Sequence, residues 1–290
     1  MTQTLDTLVP LLALESIEEN LFRGASHDLG FRQLFGGQVL GQALSAATQT
    51  VDPARPAHSL HGYFLRPGDA RLPVIYQVDR VRDGGTFSVR RVSAIQKGQV
   101  IFTAIASFHA EEAGFAHQCP MPEVPGPEGL PDHIERILDA SLEIPERVRE
   151  RLQGRKALQM RPVGLQNPVD PRPQEPFQHI WVRAAGEVPA GNPALHRYLL
   201  AYASDFFLIA TALLPHAASL WQPDLQVASL DHALWFHREV KADEWLLYSL
   251  ESPWAGAGRG LARGHFFNRD GELVATVAQE GLMRKREDWA

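Results

Sequence analysis

The same succession of predicted elements occurs twice in this chain of 290 residues. Each copy has an apolar helix followed by strands that are joined by short turns containing glycine, a pattern typical of antiparallel sheet. Corresponding positions, such as Gly98 and Gly271, lie roughly 170 residues apart, which indicates an internal duplication. We therefore predict an α+β fold with two tandem antiparallel sheets, each wrapped around a central helix.

A proline-rich segment separates the two copies. The first copy covers residues 1–112 and the second covers residues 177–290. Between them, residues 113–176 contain prolines near both ends and a charged stretch of helical period, residues 132–152. This composition predicts a linker with a surface helix and not a third domain.

The helix of the first copy is rich in small residues. It follows Phe35 and contains Gly36, Gly37 and Gln38, then further glycine and alanine up to Ala47. Small residues on all sides of a helix predict that other parts of the backbone approach it closely from several directions. A helix wrapped by a curved sheet meets that description.

The helix of the second copy, predicted over residues 195–214, carries one carboxylate, Asp205, within the apolar run Tyr202–Ala210. An ionised carboxylate is expensive to bury unless other groups hydrogen-bond it. A helix N-terminus favours an anion, and Ser204 with Asp205 resembles an N-cap pair. Asp205 is therefore either a capping residue or a functional base.

Two polar residues of the second copy could complete a site around Asp205. Ser229 precedes an apolar strand, and Gln279 interrupts the apolar alternation of the last strand. Each is explained singly as an ordinary strand residue. The duplication places Gln38 opposite Asp205 and Ala106 opposite Gln279, so only one copy carries the polar set. A carboxylate with two orienting groups can activate a water, and we predict a single site where the halves meet.

Several stretches together resemble a known family, acyl-CoA thioesterase II of the TesB type, over nearly the whole chain. They are Phe35 to Gln38, His58 to Gly68, Arg82 to Gly84, Ala203 to Asp205, Leu230 to His237 and Gln279 to Gly281. The resemblance implies a double hotdog fold and hydrolysis of fatty acyl-CoA to free fatty acid and CoA.

The resemblance also implies which residues act. Asp205, Ser229 and Gln279 would position and activate the attacking water, and Ser229 keeps the hydroxyl where many members of the family have threonine. Gly37 and Gln38 would bind substrate, because amide groups at the start of the first helix can polarise the thioester oxygen. His58 is interpreted from its position either as an ordinary strand residue or as a substrate-binding residue that faces the same site.

Other functions fit the residues less well. The chain contains no Gly-x-Ser-x-Gly motif, so a serine nucleophile is not expected. An enoyl-thioester hydratase of the same fold pairs an aspartate with a histidine, and the first histidine after Asp205 is His216. A non-catalytic acyl-thioester binding protein remains the third interpretation. Release of free thiol from acyl-CoA distinguishes the hydrolase from both alternatives.

Residue spacing, net charge and the length of apolar runs limit the cofactors, partners and cellular locations that we expect for this chain. Asp231, His232 and His237 match no metal-binding spacing, and we predict no metal or cofactor. The net charge of −6, with both signs intermixed, does not favour nucleic acid. No apolar run was expected to reach the length of a membrane span, and no signal peptide is evident. We expect a cytoplasmic protein of lipid metabolism, and the resemblance implies a homodimer or homotetramer.

Overall fold

The computed structural model describes residues 4–29, 33–139, 156–164, 168 and 170–286. The helices are α1 (Leu5–Leu12), α2 (Gly36–Thr48), α3 (His133–Asp139), α4 (Ala194–Ser204) and α5 (Leu208–Thr211), with a 3₁₀ turn at Leu214–His216. The strands are β1 (Glu15–Glu18), β2 (Leu21–Gly24), β3 (Ala57–Phe64), β4 (Val74–Asp83), β5 (Phe87–Gln96), β6 (Gln99–His109), β7 (Leu158–Pro162), β8 (Phe177–Ala184), β9 (Leu225–Ser229), β10 (Asp231–Phe236), β11 (Leu246–Gly256), β12 (Arg259–Phe267) and β13 (Leu273–Lys285).

The strands form one continuous antiparallel sheet that joins the two copies. Its order is β1-β2-β4-β5-β6-β3-β10-β13-β12-β11-β8-β7, and β9 pairs with the end of β13. The strands that follow the helix in each copy are arranged alike, as β4-β5-β6-β3 and as β11-β12-β13-β10. The copies meet where β3 pairs with β10, with Leu60 opposite Leu234. The predicted duplication and double hotdog fold are confirmed.

The small residues of α2 are explained by close packing. Every residue from Gly37 to Ala47 is buried. A Cβ atom on Gly37 would lie 2.3 Å from the carbonyl oxygen of Tyr202, and one on Gly41 would lie 3.0 Å from that of Tyr198. Helix α4 of the second copy thus lies directly against α2, while the first sheet curves around the rest of α2.

The second central helix is not continuous. The sequence predicted one helix over residues 195–214, but α4 ends at Ser204 and α5 begins at Leu208. Between them, Phe207 adopts a left-handed conformation with φ of 62°. A bulky residue rarely adopts positive φ, because its Cβ meets the following carbonyl oxygen. The tertiary structure therefore imposes a break that local helix propensity does not predict.

The strand predicted over residues 227–236 is likewise divided. β9 ends at Ser229 and β10 begins at Asp231, with Leu230 between them. Leu230 N–H donates to the carbonyl of Glu280, and its own carbonyl accepts from Phe64 N–H. β9 pairs with the end of β13, with Ser229 opposite Gly281, and β10 pairs with its middle, with Ala233 opposite Ala278, so the register along β13 shifts by one residue at Leu230. Pairing with β3 begins at the same point, at Asp231.

The segment between the copies carries more structure than a linker. It contributes β7, which pairs with β8 at the edge of the second sheet. Of the helix predicted over residues 132–152, the structure shows α3, and residues 140–155 lie outside the described part. Apolar residues from the start of this segment, Met121, Val124 and Leu130, pack against a cluster of the second copy that contains Trp181 and Trp245.

One apolar stretch is long enough to cross a membrane by length and composition. It runs from Ala194 to His216, so the expectation that no run approaches this length was wrong. In the fold, 72% of its apolar window is buried. This stretch forms α4, α5 and the following turn, which are the central helical segments of the second copy. Buried core helices commonly have the same length and apolar composition.

Candidate active site

Asp205 lies at the end of one helix and at the start of another. It is the C-cap residue of α4, not an N-cap residue as predicted. Its Oδ2 accepts a hydrogen bond of 2.8 Å from Gly37 N–H, in the first turn of α2. The predicted attraction between this carboxylate and a helix N-terminus is therefore present, but the helix belongs to the first copy.

The second carboxylate oxygen meets the two polar residues that the sequence predicted. Gln279 Nε2 donates to Asp205 Oδ1 at 2.8 Å, and Ser229 Oγ lies 3.5 Å from the same oxygen. Ser229 is brought there by the antiparallel pairing of β9 with β13, in which it lies opposite Gly281. Two residues that lie 24 and 74 positions from Asp205 in sequence thus converge on its Oδ1.

The side-chain carbonyl oxygen of Gln279 takes no part in these hydrogen bonds. The residue is fully buried, and its Oε1 has no hydrogen-bond partner among the described residues. A buried carbonyl oxygen without a donor is unusual, because the desolvation of that oxygen costs free energy. The free Oε1 lies on the same side-chain amide as the nitrogen that donates to Asp205, so a donor bound there would adjoin the carboxylate.

Burial changes the basicity of Asp205. Loss of solvent raises the pKa of the Asp205 carboxyl above its ordinary value, although hydrogen bonds from Gln279, Gly37 and Ser229 act in the opposite direction. Burial penalises the ionised form, and it is the larger of the two effects. A carboxylate with a raised pKa is a stronger base than an exposed aspartate, as proton abstraction requires.

Glycine makes room for the carboxylate at the start of α2. A Cβ atom on Gly36 would lie 2.7 Å from Asp205 Oδ2 and 3.0 Å from the ring of Phe64, at the end of β3. The first turn of α2, the end of β3, β13 and the end of α4 therefore surround the same carboxylate. These contacts place Asp205 between the two copies.

The three predicted substrate-binding residues are placed differently from one another. Gly37 contacts Asp205 directly. Gln38 is buried, and its amide group bonds Ala25 O and His27 N–H, so its side chain is not brought to Asp205. His58 bonds Ser107 Oγ at 2.9 Å and lies six positions before Phe64 on β3, which corresponds to about 20 Å along a strand. The structure thus places His58 away from the carboxylate.

A buried polar group beside the site was not predicted. His232 Nε2 lies 2.9 Å from Ser204 Oγ, and the Tyr248 hydroxyl donates to the Ser204 carbonyl at 2.7 Å. Ser204 and His232 both occur in the stretches that carry the resemblance, whereas Tyr248 looks like any aromatic residue of an apolar strand. His232 and Tyr248 differ from other buried polar residues of the sheet in that both contact Ser204, the residue before Asp205.

The described residues do not contain a metal site. No group of three or more histidine, cysteine, aspartate or glutamate side chains is arranged to hold an ion within the part of the chain described. Asp231 accepts from Glu280 N–H at 2.7 Å, while His232 turns to Ser204. The two neighbours point to opposite faces of the strand, as their adjacent positions predict.

The fold and the site define a class of protein: a double hotdog protein in which a buried carboxylate is held between two fused copies. The family profile described as acyl-CoA thioesterase matches residues 149–282, and that described as the acyl-CoA thioesterase N-terminal domain matches residues 25–109. Both copies are thus matched separately.

Comparison with individual proteins also identifies acyl-CoA thioesterases as relatives of this chain. The chain is 43% identical to acyl-CoA thioesterase 2 of Haemophilus influenzae, over 99% of this chain and 100% of that protein. It is 44% identical to human acyl-coenzyme A thioesterase 8, over 94% of this chain and 88% of the other. The crystal structure of acyl-CoA thioesterase II TesB2 from Mycobacterium marinum superposes with a TM-score of 0.78 at 43% identity, covering 97% of this chain and 99% of that one. The chain belongs to the acyl-CoA thioesterase family, TesB type, and is an acyl-CoA thioester hydrolase.

Proposed function

We propose that the Asp205 site hydrolyses fatty acyl-CoA by direct attack of water on the thioester carbonyl. The observation that carries this proposal is the convergence of Gln279, Ser229 and Gly37 on one carboxylate whose pKa is raised by burial. Such a group can hold a water and take its proton. Neither Ser229 nor another side chain is needed as a covalent nucleophile.

The free carbonyl of Gln279 supplies the second contact for the water. One hydrogen of the water would point to Asp205 and the other to Gln279 Oε1, which has no partner among the described residues. With both hydrogens directed to the protein, a lone pair of the water oxygen is free to attack the thioester carbon. Ser229 Oγ, 3.5 Å from Asp205 Oδ1, steadies the carboxylate from the opposite strand.

The reaction balances without a cofactor. The water oxygen forms a bond to the carbonyl carbon, its proton passes to Asp205, and negative charge develops on the thioester oxygen. The carbon–sulfur bond then breaks, and the proton held by Asp205 passes to the departing CoA sulfur. The products are a fatty acid and CoA with a free thiol.

The developing oxyanion is assigned to the start of α2. Of the amides there, Gly37 N–H donates to Asp205 and Gln38 N–H donates to Phe35 O. Among the described residues, this leaves Gly36 N–H without a partner, and the Cα of Gly36 carries no side chain to obstruct the substrate. The positive end of the helix dipole stabilises the same charge.

Thiol release from a panel of short to long acyl-CoAs tests the proposal. We expect the wild-type protein to release thiol and Asp205→Asn to be slower by about 100- to 10,000-fold, the range for loss of a general base. Ser229→Thr keeps the hydroxyl and should stay active. Asp79→Asn, at an exposed pair with Arg91, serves as the matched control and should match the wild type.

Each outcome of this experiment has a definite meaning. Equal rates for wild type and Asp205→Asn would remove Asp205 as the base while keeping the hydrolase. Absence of thiol release from every acyl-CoA would contradict the proposed activity. In that case, hydration of an enoyl-CoA would be assayed next, although among the described residues the hydrogen bonds to Asp205 come from Gly37, Ser229 and Gln279 and not from a histidine.

Location and assembly complete the proposal. We propose a cytoplasmic homo-oligomer, a dimer or tetramer, that acts in fatty acid metabolism without a membrane or nucleic-acid partner. The support is the family resemblance together with the mixed surface charge and net charge of −6. Light scattering of the purified protein measures the oligomeric state directly.

A further inference from the structure

Three buried polar side chains adjoin Asp205 without entering the reaction described above. Ser204, His232 and Tyr248 are each at most 1% exposed. Tyr248 on β11 donates its hydroxyl proton to Ser204 O at 2.7 Å, and His232 on β10 places Nε2 at 2.9 Å from Ser204 Oγ. Both contacts reach the residue immediately before the carboxylate.

The hydrogen bonds determine which nitrogen of His232 carries a proton. Ser204 Oγ donates its single proton to Ala201 O at 2.9 Å. It can therefore only accept from His232, so the proton lies on Nε2 of the ring. His232 and Tyr248 thus both act as donors towards Ser204, one to its hydroxyl and one to its carbonyl.

These donors act where a helix has to end. The last carbonyl groups of a helix lack partners within that helix and need donors from elsewhere when they are buried. Tyr248 supplies such a donor to Ser204, the last residue of α4. If the carbonyl of Ser204 were not held, the direction in which the chain leaves α4 would change, and with it the direction of the Asp205 side chain.

We propose that Tyr248 and His232 are positioning residues for the hydrolysis: by fixing the carbonyl and hydroxyl of Ser204, they hold the Asp205 carboxylate against Gly37 and Gln279. This inference rests on the proposed function, because it assigns the two residues a role in the same reaction. Neither residue touches the reacting atoms. Their effect is transmitted through one backbone carbonyl and one hydroxyl group.

The charge state of the network suits a positioning role. Burial lowers the pKa of His232 to about 3, so the ring stays neutral under working conditions. Burial, together with the nearby charge of Asp205, raises the pKa of Tyr248. Burial also raises the pKa of Asp231, the neighbour of His232 on β10. The strands beside β10 and β11 carry further titratable groups: His58, His61 and Tyr63 on β3, His179 and Arg183 on β8, Arg259, Arg263 and His265 on β12, and Glu280, Arg284 and Lys285 on β13, with Glu251 on β11 itself. Tyr248 and His232 therefore remain uncharged while Asp205 titrates.

The first copy provides a matched control. Tyr76 on β4 is also fully buried and donates its hydroxyl proton to Gln42 Oε1 at 2.8 Å. β4 occupies in the first sheet the place that β11 occupies in the second. Tyr76→Phe and Tyr248→Phe thus each remove one buried tyrosine hydroxyl, but only the second removes a contact next to Asp205.

The experiment compares these two variants by thermal unfolding and by kinetics across pH. We expect similar losses of Tm. Only Tyr248→Phe should lower kcat, by about 10- to 100-fold as for a small misplacement of a catalytic group, with little change in KM. Its acid limb should move to higher pH, because a carboxylate that loses the donors Gly37 and Gln279 is harder to ionise.

Two further variants separate positioning from general damage. In an Asp205→Asn background, Tyr248→Phe should cause no additional loss of kcat, since the group that it positions is no longer a base. His232→Gln keeps a donor towards Ser204 and should retain more activity than His232→Leu. Equal kcat and equal acid limbs for Tyr76→Phe and Tyr248→Phe would overturn the inference, as would an undiminished effect in the Asp205→Asn background.

The wild-type assay separates this inference from the proposed function. Thiol release by the wild type with an unchanged Tyr248→Phe variant would overturn the positioning role and leave the hydrolase intact. No release by the wild type would overturn both.

Discussion

Asp205 has to satisfy two opposing requirements within a single carboxyl group. It must be ionised to accept a proton, and it must be sufficiently desolvated to be a strong base. Burial raises its pKa, while three hydrogen bonds and the N-terminus of α2 keep the ionised form accessible. Burial of this carboxylate therefore lowers the free energy of unfolding, but its role as a base requires that burial. Active sites commonly reduce stability in this way.

That cost predicts how stability depends on pH. The pKa of Asp205 is raised in the folded protein, so between the ordinary value of 3.8 and the folded value the folded state binds more protons than the unfolded state. The contribution of Asp205 to the free energy of unfolding therefore falls as pH rises through this window. Asp205→Asn removes the penalty, and Gln279 can turn its amide to accept from the new Nδ2 group.

We accordingly expect Asp205→Asn to unfold at a higher denaturant concentration than the wild type at neutral pH. The difference between the two proteins should shrink as pH is lowered towards 3.8, because both side chains are then uncharged. Urea titrations at several pH values measure this difference. A variant that is less stable than the wild type at neutral pH, with the difference independent of pH, would show that burial does not penalise the carboxylate.

The sequence predicts which polar residues need a partner more reliably than it predicts how far each residue lies from Asp205. Asp205, Ser229 and Gln279 stood out because a polar group in an apolar alternation needs a partner. The structure separates His58 from Asp205 for a physical reason: strand alternation fixes the face on which a side chain lies but not its distance from a given residue. His58 shares its face with Phe64, yet Phe64 alone of the two lies beside the carboxylate.

At the scale of elements, the end of α4 determines where the carboxylate lies. Asp205 follows Tyr202 and Tyr198 by three and seven residues, so it lies on the face of α4 that meets α2. Beyond Asp205 the chain leaves the helix, and Phe207 takes a left-handed conformation while its carbonyl accepts from Thr211 Oγ1 at 2.9 Å. No local pattern signals this break, because neither glycine nor proline interrupts the apolar run. The strand β7 escaped prediction for a similar reason, since its pairing with β8 is a tertiary contact.

The contact between α2 and α4 gives a second prediction. Gly37→Ala places a methyl group 2.3 Å from the rigid backbone oxygen of Tyr202, whereas Gly41→Ala meets a flexible end of Leu12 at 2.8 Å and the oxygen of Tyr198 at 3.0 Å. Alanine favours the helix by about 1 kcal/mol over glycine at either position. We expect Gly37→Ala to be destabilising by about 1–3 kcal/mol net, the usual cost of overpacking, and Gly41→Ala to be less destabilising.

Chemical denaturation of the two alanine variants, with thiol release measured alongside, checks this order. Gly37→Ala should also lower kcat, since the same residue donates its N–H to Asp205 Oδ2. Gly41→Ala serves as the control within the same helix face. If Gly41→Ala proved the more damaging of the two, the close approach of α2 to Tyr202 would be wrong.

At the scale of the molecule, the two copies share one interior. A single cluster of buried apolar residues extends through both, from α1 and α2 to α4 and the strands of the second sheet. β3 and β10 join the sheets, and Gly37 of one copy bonds Asp205 of the other. Since neither copy completes the site alone, the fold predicts that the halves unfold together.

The distribution of tryptophan allows this to be measured. All six tryptophans lie at or beyond Trp181, and Trp235 also contacts His61 of β3, so their fluorescence reports on the second copy and its junction with the first. Leu44 is fully buried in α2 of the first copy, and Leu44→Ala should cost about 2–5 kcal/mol as a buried leucine truncation does. If the interior is shared, tryptophan fluorescence and circular dichroism should shift to the same lower midpoint in that variant. Val81→Ala, at a position 59% exposed on β4, should move neither signal. A fluorescence midpoint that stayed at the wild-type value while circular dichroism shifted would mean that the second copy is stable without the first.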